Sequence, residues 1–295
     1  MDLGTIPNQI LIYLTDRAYH AKILLFGEQS VLFGSEALSV PFPQFSGRWS
    51  VHEHKIDTSL TSLISKFDQH IINTEQFERD LQEGLFFNSN IPYQYGLGSS
   101  GALTAAIYDR YRLHRKNTSI ADTQLHLANM ESVFHGQSSG LDALVSYSNQ
   151  IIWSHSKRLT LIDADTLGSP IHLYLVDSKT PRSAKRYIAK FAALVDSQSI
   201  DIERFNQLVH ECISDIVSTT SKTSSDKPFK ELSTLQFLNL KAFMPPIIQD
   251  LWERGLQDQS YFMKLCGAGG GGYFIVMSPR DNLKTVHGHD LLQIF

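Results

Sequence analysis

The chain has 295 residues, 42% of them hydrophobic and 19% charged, with a formal net charge of −4. This is enough apolar material for a large core in one domain or two closely packed ones, and the mildly acidic balance lacks the basic footprint of a nucleic-acid binder. Cys212 and Cys266 are the only cysteines; they lie far apart, outside any Cys-x-x-Cys pair, which argues against a disulfide scaffold or structural zinc.

The apolar run Ile10–Leu14 is too short for a signal-peptide core, and Asp2 stands where such peptides are basic. No window approaches the roughly 18 apolar residues of a membrane span, so the expectation is a cytoplasmic protein with no membrane partner. Ala21–Gly27 (AKILLFG) reads as a buried strand with a glycine stop, and Ser50–Lys55 alternates weakly as a second. Leu60, Leu63, Ile64 and Phe67 have helical spacing. Gly101–Arg115 reads as a helix with an apolar stripe of Ala102, Ala105, Ala106 and, further on, Leu113.

Asp122 or Thr123 can cap a further helix running to Phe134 and ending at Gly136. Ile171–Val176 is a predicted strand; Ser183–Val195 and Ile202–Val217 are predicted helices. Thr219–Pro228 is a polar loop, Pro246–Gly255 a helix with proline in its permitted first turn, and Tyr273–Met277 a strand. Strands and helices mix without regular alternation, which predicts an α+β fold rather than a doubly wound sheet.

Four segments carry candidate chemistry. Gly96-Leu97-Gly98-Ser99-Ser100-Gly101 precedes the 101–115 helix. A helix N-terminus has unpaired N–H groups and partial positive charge; glycines let that backbone approach a phosphate, and serine hydroxyls can donate to it or bind magnesium. A turn with a serine N-cap would also explain the composition. No lysine follows, as a Walker A loop requires, and the glycine spacing is not that of a dinucleotide fold.

Gly267-Ala268-Gly269-Gly270-Gly271-Gly272 places five glycines in six positions, costly to order. Between apolar flanks it reads as a loop pressed against a ligand or another backbone. Lys22 and Glu28 flank an apolar strand, where a lysine is ordinarily a snorkelling edge residue. Glu131 and His135 share a helix face at i, i+4, and Asp142 follows in a turn.

Taken in order, these segments resemble the GHMP kinases, the superfamily of galacto-, homoserine, mevalonate and phosphomevalonate kinases. Within it the resemblance is to the mevalonate kinase family. Lys22–Glu28 resembles the family's N-terminal motif, Pro92…Ser100 its phosphate loop, His135-Gly136…Ser139-Gly140-Leu141-Asp142 its His-Gly-x-x-Ser-Gly-x-Asp segment, Asp177-Ser178-Lys179-Thr180-Pro181-Arg182-Ser183 its Thr-Lys-x-Pro-Arg loop, and Lys264–Gly272 its C-terminal glycine motif. Gln29 departs from the family's usual His after Glu, which implies an altered substrate contact. Gly101 replaces the usual Ala.

The resemblance implies two α+β lobes, 1–165 and 166–295, with the active site in the cleft between them. It implies ATP-dependent phosphorylation of the 5-hydroxyl of mevalonate. The ATP phosphates would lie on Gly96, Leu97, Gly98, Ser99, Ser100 and Gly101, completed by Gly269 and Gly270. Mg2+ would be held by Ser100, or Ser99, with Glu131. Asp142 would take the hydroxyl proton, aided by the Lys22 cation through direct pairing. Glu28, His135 and Thr180 would line the substrate pocket, and a homodimer fits the family's habit. Another small-alcohol kinase of the superfamily and a non-catalytic nucleotide- or metabolite-binding relative are the alternatives.

Overall fold

In the computed structural model, which describes residues 16–52, 57–113, 118–156, 158–163, 167, 171–181, 184–217 and 226–294, the first apolar run is strand β1, Tyr19–Phe26. The elements then follow as β2 Ala37–Val51, α1 Thr58–Thr61, α2 Thr74–Gln82, β3 Leu85–Ser89, α3 Ser99–Tyr111, α4 Ile120–His135, α5 Leu141–Ser148, β4 Ile151–His155, β5 Arg158–Ile162 and β6 His172–Asp177. They continue as α6 Ala184–Asp196, α7 Ile202–Val217, α8 Lys227–Asn239, α9 Pro246–Asp258, β7 Phe262–Leu265, β8 Tyr273–Ser278, β9 Thr285–Val286 and β10 His289–Gln293.

Some expectations shift for local reasons. Leu60, Ile64 and Phe67 are buried as their spacing requires, yet 59–67 is not one helix. A single turn capped by Asp57 is followed by a 3-10 turn at Ile64–Lys66. Thr61 and Ser62 hydroxyls donate to the carbonyls of Asp57 and Ser59, the local competition that weakens serine-rich helices. Ser50 and Val51 end the 15-residue β2 rather than forming a strand of their own; Lys55 is outside the described residues, as are Arg115, Arg182, Ser183, residues 219–225 and the expected lobe boundary at 165. The cap of α4 is Ser119, which accepts from the Asp122 N–H at 3.1 Å. Asp122, three residues on, accepts from the Ser119 hydroxyl at 2.7 Å. Asp142 lies not in a turn but in the first turn of α5.

The chain divides into two compact units. One comprises 1–22, 41–92 and 98–149; the other 23–40, 93–97 and 150–295. Strands β1 and β2 each pass from one unit into the other.

In the first unit β3 pairs antiparallel with the end of β2, Gly47 opposite Ser89 and Val51 opposite Leu85. Trp49, Phe77, Phe87 and Tyr111 stack edge-on or tilted at centroid separations of 4.7–6.4 Å. The helices approach closely because small residues line α3: Ala102, Ala105 and Ala106 are fully buried. A methyl on Gly101 would come within 2.9 Å of the Asp142 carbonyl carbon and the Ala143 nitrogen. A methyl on Gly140 would lie 2.5 Å from the Gln124 carbonyl oxygen.

In the second unit the start of β2 pairs with β4, and β4 with β5, all antiparallel. A further antiparallel sheet runs β7-β8-β6-β10-β9. Its β8 is buried at every residue, as an apolar run with no polar alternation requires. The antiparallel registers and segregated helices are those of an α+β protein.

Candidate active site

Lys22 lies on β1 and is 4% exposed. An isolated ammonium at that depth is costly, and it is paired: its Nζ is 2.8 Å from Asp142 Oδ1. The Asp142 side chain keeps 38% of its surface, so its carboxylate remains reachable by a small molecule. Gly98 sits with φ +72°, and a methyl there would lie 2.8 Å from the Lys22 side chain. Only glycine satisfies both the left-handed backbone and that close approach.

Helix α3 begins immediately after Gly98, and no side chain caps its start. The serine-capped turn is therefore not what the Gly/Ser run builds. It builds a helix N-terminus with Ser99 and Ser100 half-buried in the first turn, the arrangement that accepts anions. Gly101 belongs to packing instead, because it lets α3 touch the residue carrying the Asp142 carboxylate.

Glu131 is 4% exposed. The Ser100 hydroxyl donates to Oε1 at 3.3 Å and the Ser138 hydroxyl to Oε2 at 2.5 Å. Burial pushes the Glu131 carboxyl up to about 7, and the negative charge of Asp142 adds to this. The Ser138 bond, the Lys22 charge and the Ser100 bond offset part of the rise. A serine hydroxyl beside a buried carboxylate is an oxygen donor set suited to a hard divalent cation such as magnesium. Lys22, Gly98, Ser99, Ser100, Glu131 and Asp142 thus meet within the first unit.

The second unit holds the remaining candidates. Gly96 has φ +78°, while Leu97 is 1% exposed and serves the core. The glycine run is pressed against other backbone rather than held open. Gly270 N–H donates to the Phe243 carbonyl at 2.7 Å and Gly272 N–H to the Thr180 carbonyl at 2.6 Å. A methyl on Gly269 would strike the Phe243 carbonyl oxygen at 2.9 Å, one on Gly270 the Tyr187 ring at 2.1 Å, and one on Gly271 the Thr180 carbonyl oxygen at 2.3 Å. The Thr180 hydroxyl donates to the Ser178 carbonyl at 3.2 Å.

Glu28 and Lys264 form an ion pair with side chains 2% and 0% exposed. Burial raises the Glu28 carboxyl above its ordinary value, and Lys264 offsets part of the rise. His135 is the last residue of α4; its side chain lies outside the described residues. Ser138 and Lys264 were not singled out by sequence. Ser138 looks like its neighbour Ser139, and only the 131–138 geometry separates them.

Residues 63–150 match the family model of the GHMP kinases N terminal domain. Mevalonate kinase from Arabidopsis thaliana is 26% identical over 212 residues, covering 65% of this chain and 55% of the relative; the chain thus spans about half the length of the curated relative it matches. The mevalonate kinase of Methanococcus jannaschii superimposes with a TM-score of 0.63 at 18% identity, covering 94% of this chain and 92% of that one. The phosphomevalonate kinase of Streptococcus pneumoniae does so with a TM-score of 0.62 at 16% identity, covering 90% and 91%. Structural likeness at these identities shows the fold, that of the two-domain GHMP kinases.

Proposed function

Because the chain belongs to the GHMP kinase superfamily and resembles its mevalonate kinases, we propose that it transfers the terminal phosphoryl group of ATP to the 5-hydroxyl of mevalonate. The observation that carries this reading is the Lys22–Asp142 pair, set directly against the first turn of an uncapped helix. Phosphoryl transfer needs positioning and cancellation of charge more than covalent chemistry, and these elements offer both.

The N–H groups at the start of α3, with Gly96 to Ser100, would bind the ATP phosphates. Ser100 and Glu131 would hold Mg2+, which when bound neutralises phosphate charge. Asp142 accepts the proton of the attacking hydroxyl as the hydroxyl oxygen bonds to the terminal phosphorus and the bond from that phosphorus to the bridging oxygen of ADP breaks, so that ADP leaves. Lys22 pairs with that carboxylate and would stabilise the developing alkoxide. Gly269 and Gly270 would shape the glycine run, whose Gly272 packs on Tyr95.

The equal likeness to a phosphomevalonate kinase structure keeps a second acceptor in view. A substrate panel separates them: ADP release with ATP and mevalonate, and none with phosphomevalonate or homoserine, supports the reading. Turnover with phosphomevalonate alone replaces it with the second. Among the described residues, no helix is long and apolar enough to cross a membrane.

A further inference from the structure

Gln29 stands where a substrate contact would be expected, yet it faces the protein. It is 3% exposed, and its Nε2 donates to the Ala268 carbonyl at 2.8 Å, across 239 residues of sequence. Its neighbour Glu28 is equally withdrawn, paired with Lys264 at the end of β7. The turn presenting both depends on Gly27, with φ +102° and room for no side chain, since a methyl there would lie 2.5 Å from the Glu36 carbonyl oxygen. The segment 27–29 is thus a short, rigid clamp closed on residues 264–268.

The clamped loop packs at its far end against Tyr95, in the lead-in of the phosphate loop. Gly272 passes beneath the Tyr95 carbonyl, where a methyl would sit 2.9 Å from its oxygen, and Tyr273 packs edge-on against Tyr95 at 5.4 Å. Tyr95 is followed by Gly96 and Leu97, in the same unit. One end of the glycine run is therefore fixed by Gln29, and the other sets the backbone that enters the phosphate loop.

We infer that Gln29 is a positioning residue for the nucleotide: its amide holds the glycine run, and through it Tyr95–Leu97, instead of contacting the phosphoryl acceptor. This rests on the kinase reading above for its functional half. The carboxamide is the required chemistry, because the Ala268 oxygen needs a donor. A carboxylate of the same length would set an acceptor against that oxygen, and a thioether would leave it unpaired.

Gln29→Met and Gln29→Glu test this in the full chain. Two readouts are used: ATP affinity by direct titration together with the KM values for ATP and acceptor, and amide hydrogen exchange of residues 266–273 without nucleotide. Both variants are expected to weaken ATP binding and raise its KM about tenfold, the loss of one buried hydrogen bond to a now unpaired acceptor. The acceptor KM should stay within about twofold, and exchange across 266–273 should quicken by about the same tenfold. An unchanged ATP affinity with a raised acceptor KM makes Gln29 a substrate contact and overturns the inference, as does unchanged exchange. Failure of the wild type to bind ATP overturns the kinase reading and, with it, the nucleotide role; the exchange result then decides the anchoring role alone.

Discussion

Ser138 holds one oxygen of Glu131 at 2.5 Å while Ser100 holds the other at 3.3 Å. Burial makes this carboxyl hold its proton to higher pH and the Asp142 charge adds to it, while the two hydroxyl bonds and the Lys22 charge offset only part of the rise. The group is raised from 4.5 to about 7. A raised acid contributes stability that is fully present below 4.5 and is lost as pH rises through 7. Melts of the wild type and Glu131→Gln between pH 4.5 and 8 should therefore diverge. The wild type loses on the order of 3 kcal/mol relative to the variant as pH rises through that window. Parallel curves would show that Glu131 is not perturbed.

Asp142 faces Lys22 and keeps over a third of its side chain in solvent. Asp142→Asn retains the shape and removes the proton acceptor. Turnover should fall at least 100-fold, the lower range for a positioned general base. The ATP titration should stay near wild type, while the melting temperature should fall, because the buried Lys22 ammonium loses the carboxylate that pairs with it. Substantial remaining activity would assign the proton transfer elsewhere.

Gly101→Ala sets two effects against each other. Helix propensity favours alanine by about 1 kcal/mol. The new methyl, however, would lie 2.9 Å from backbone atoms of Asp142 and Ala143, and forcing α3 from α5 costs about 1–3 kcal/mol. The variant should be destabilised in denaturant melts, with kcat reduced as the Asp142 backbone shifts. A stabilised variant would mean the helices yield easily.

Lys264→Met removes the cation paired with the fully buried Glu28 carboxylate, whose Oε2 has no hydrogen-bond partner among the described residues. The uncompensated charge should cost about 3–5 kcal/mol in urea unfolding. Adding Glu28→Gln to that variant should recover most of the loss. A double variant as unstable as the single one would mean that packing of the lysine stem, rather than its charge, is the main term.

Much of the frame was legible because it rests on local patterns. β6, α6, α7, α9 and β8 fall within a residue or a few of their predicted spans, each a clear apolar run or amphipathic stripe. The cap of α4 was misplaced by three residues because Asp122 is an equally good capping type, and Ser119 wins by position. α2, α5 and α8 went unread. α5 is an eight-residue helix opening on glycine, and its packing against α3, not its propensity, makes it a helix. At the site, the Gly/Ser run and the Lys22–Asp142 pairing were readable from motif order. The buried partners of Glu28 and Gln29 were not: each bond spans more than 230 residues, and no local spacing encodes such a meeting. The glycine run was read correctly as constrained, but whether ligand or backbone pressed on it required the Tyr187, Thr180 and Tyr95 contacts.

The unit that begins at residue 23 also claims 93–97 and everything after 149, and this shapes how the chain matures. During synthesis the first 149 residues emerge with every segment of the first unit, which can consolidate while residues 23–40 wait. The waiting stretch includes the buried Leu25, Phe26, Leu38 and Val40, exposed on the ribosome until later segments arrive: β4, whose Trp153 lies opposite Leu38, and farther on Phe229, which packs against Phe26. A truncation near residue 150 should consequently give a sticky, chaperone-dependent product rather than a clean half-molecule.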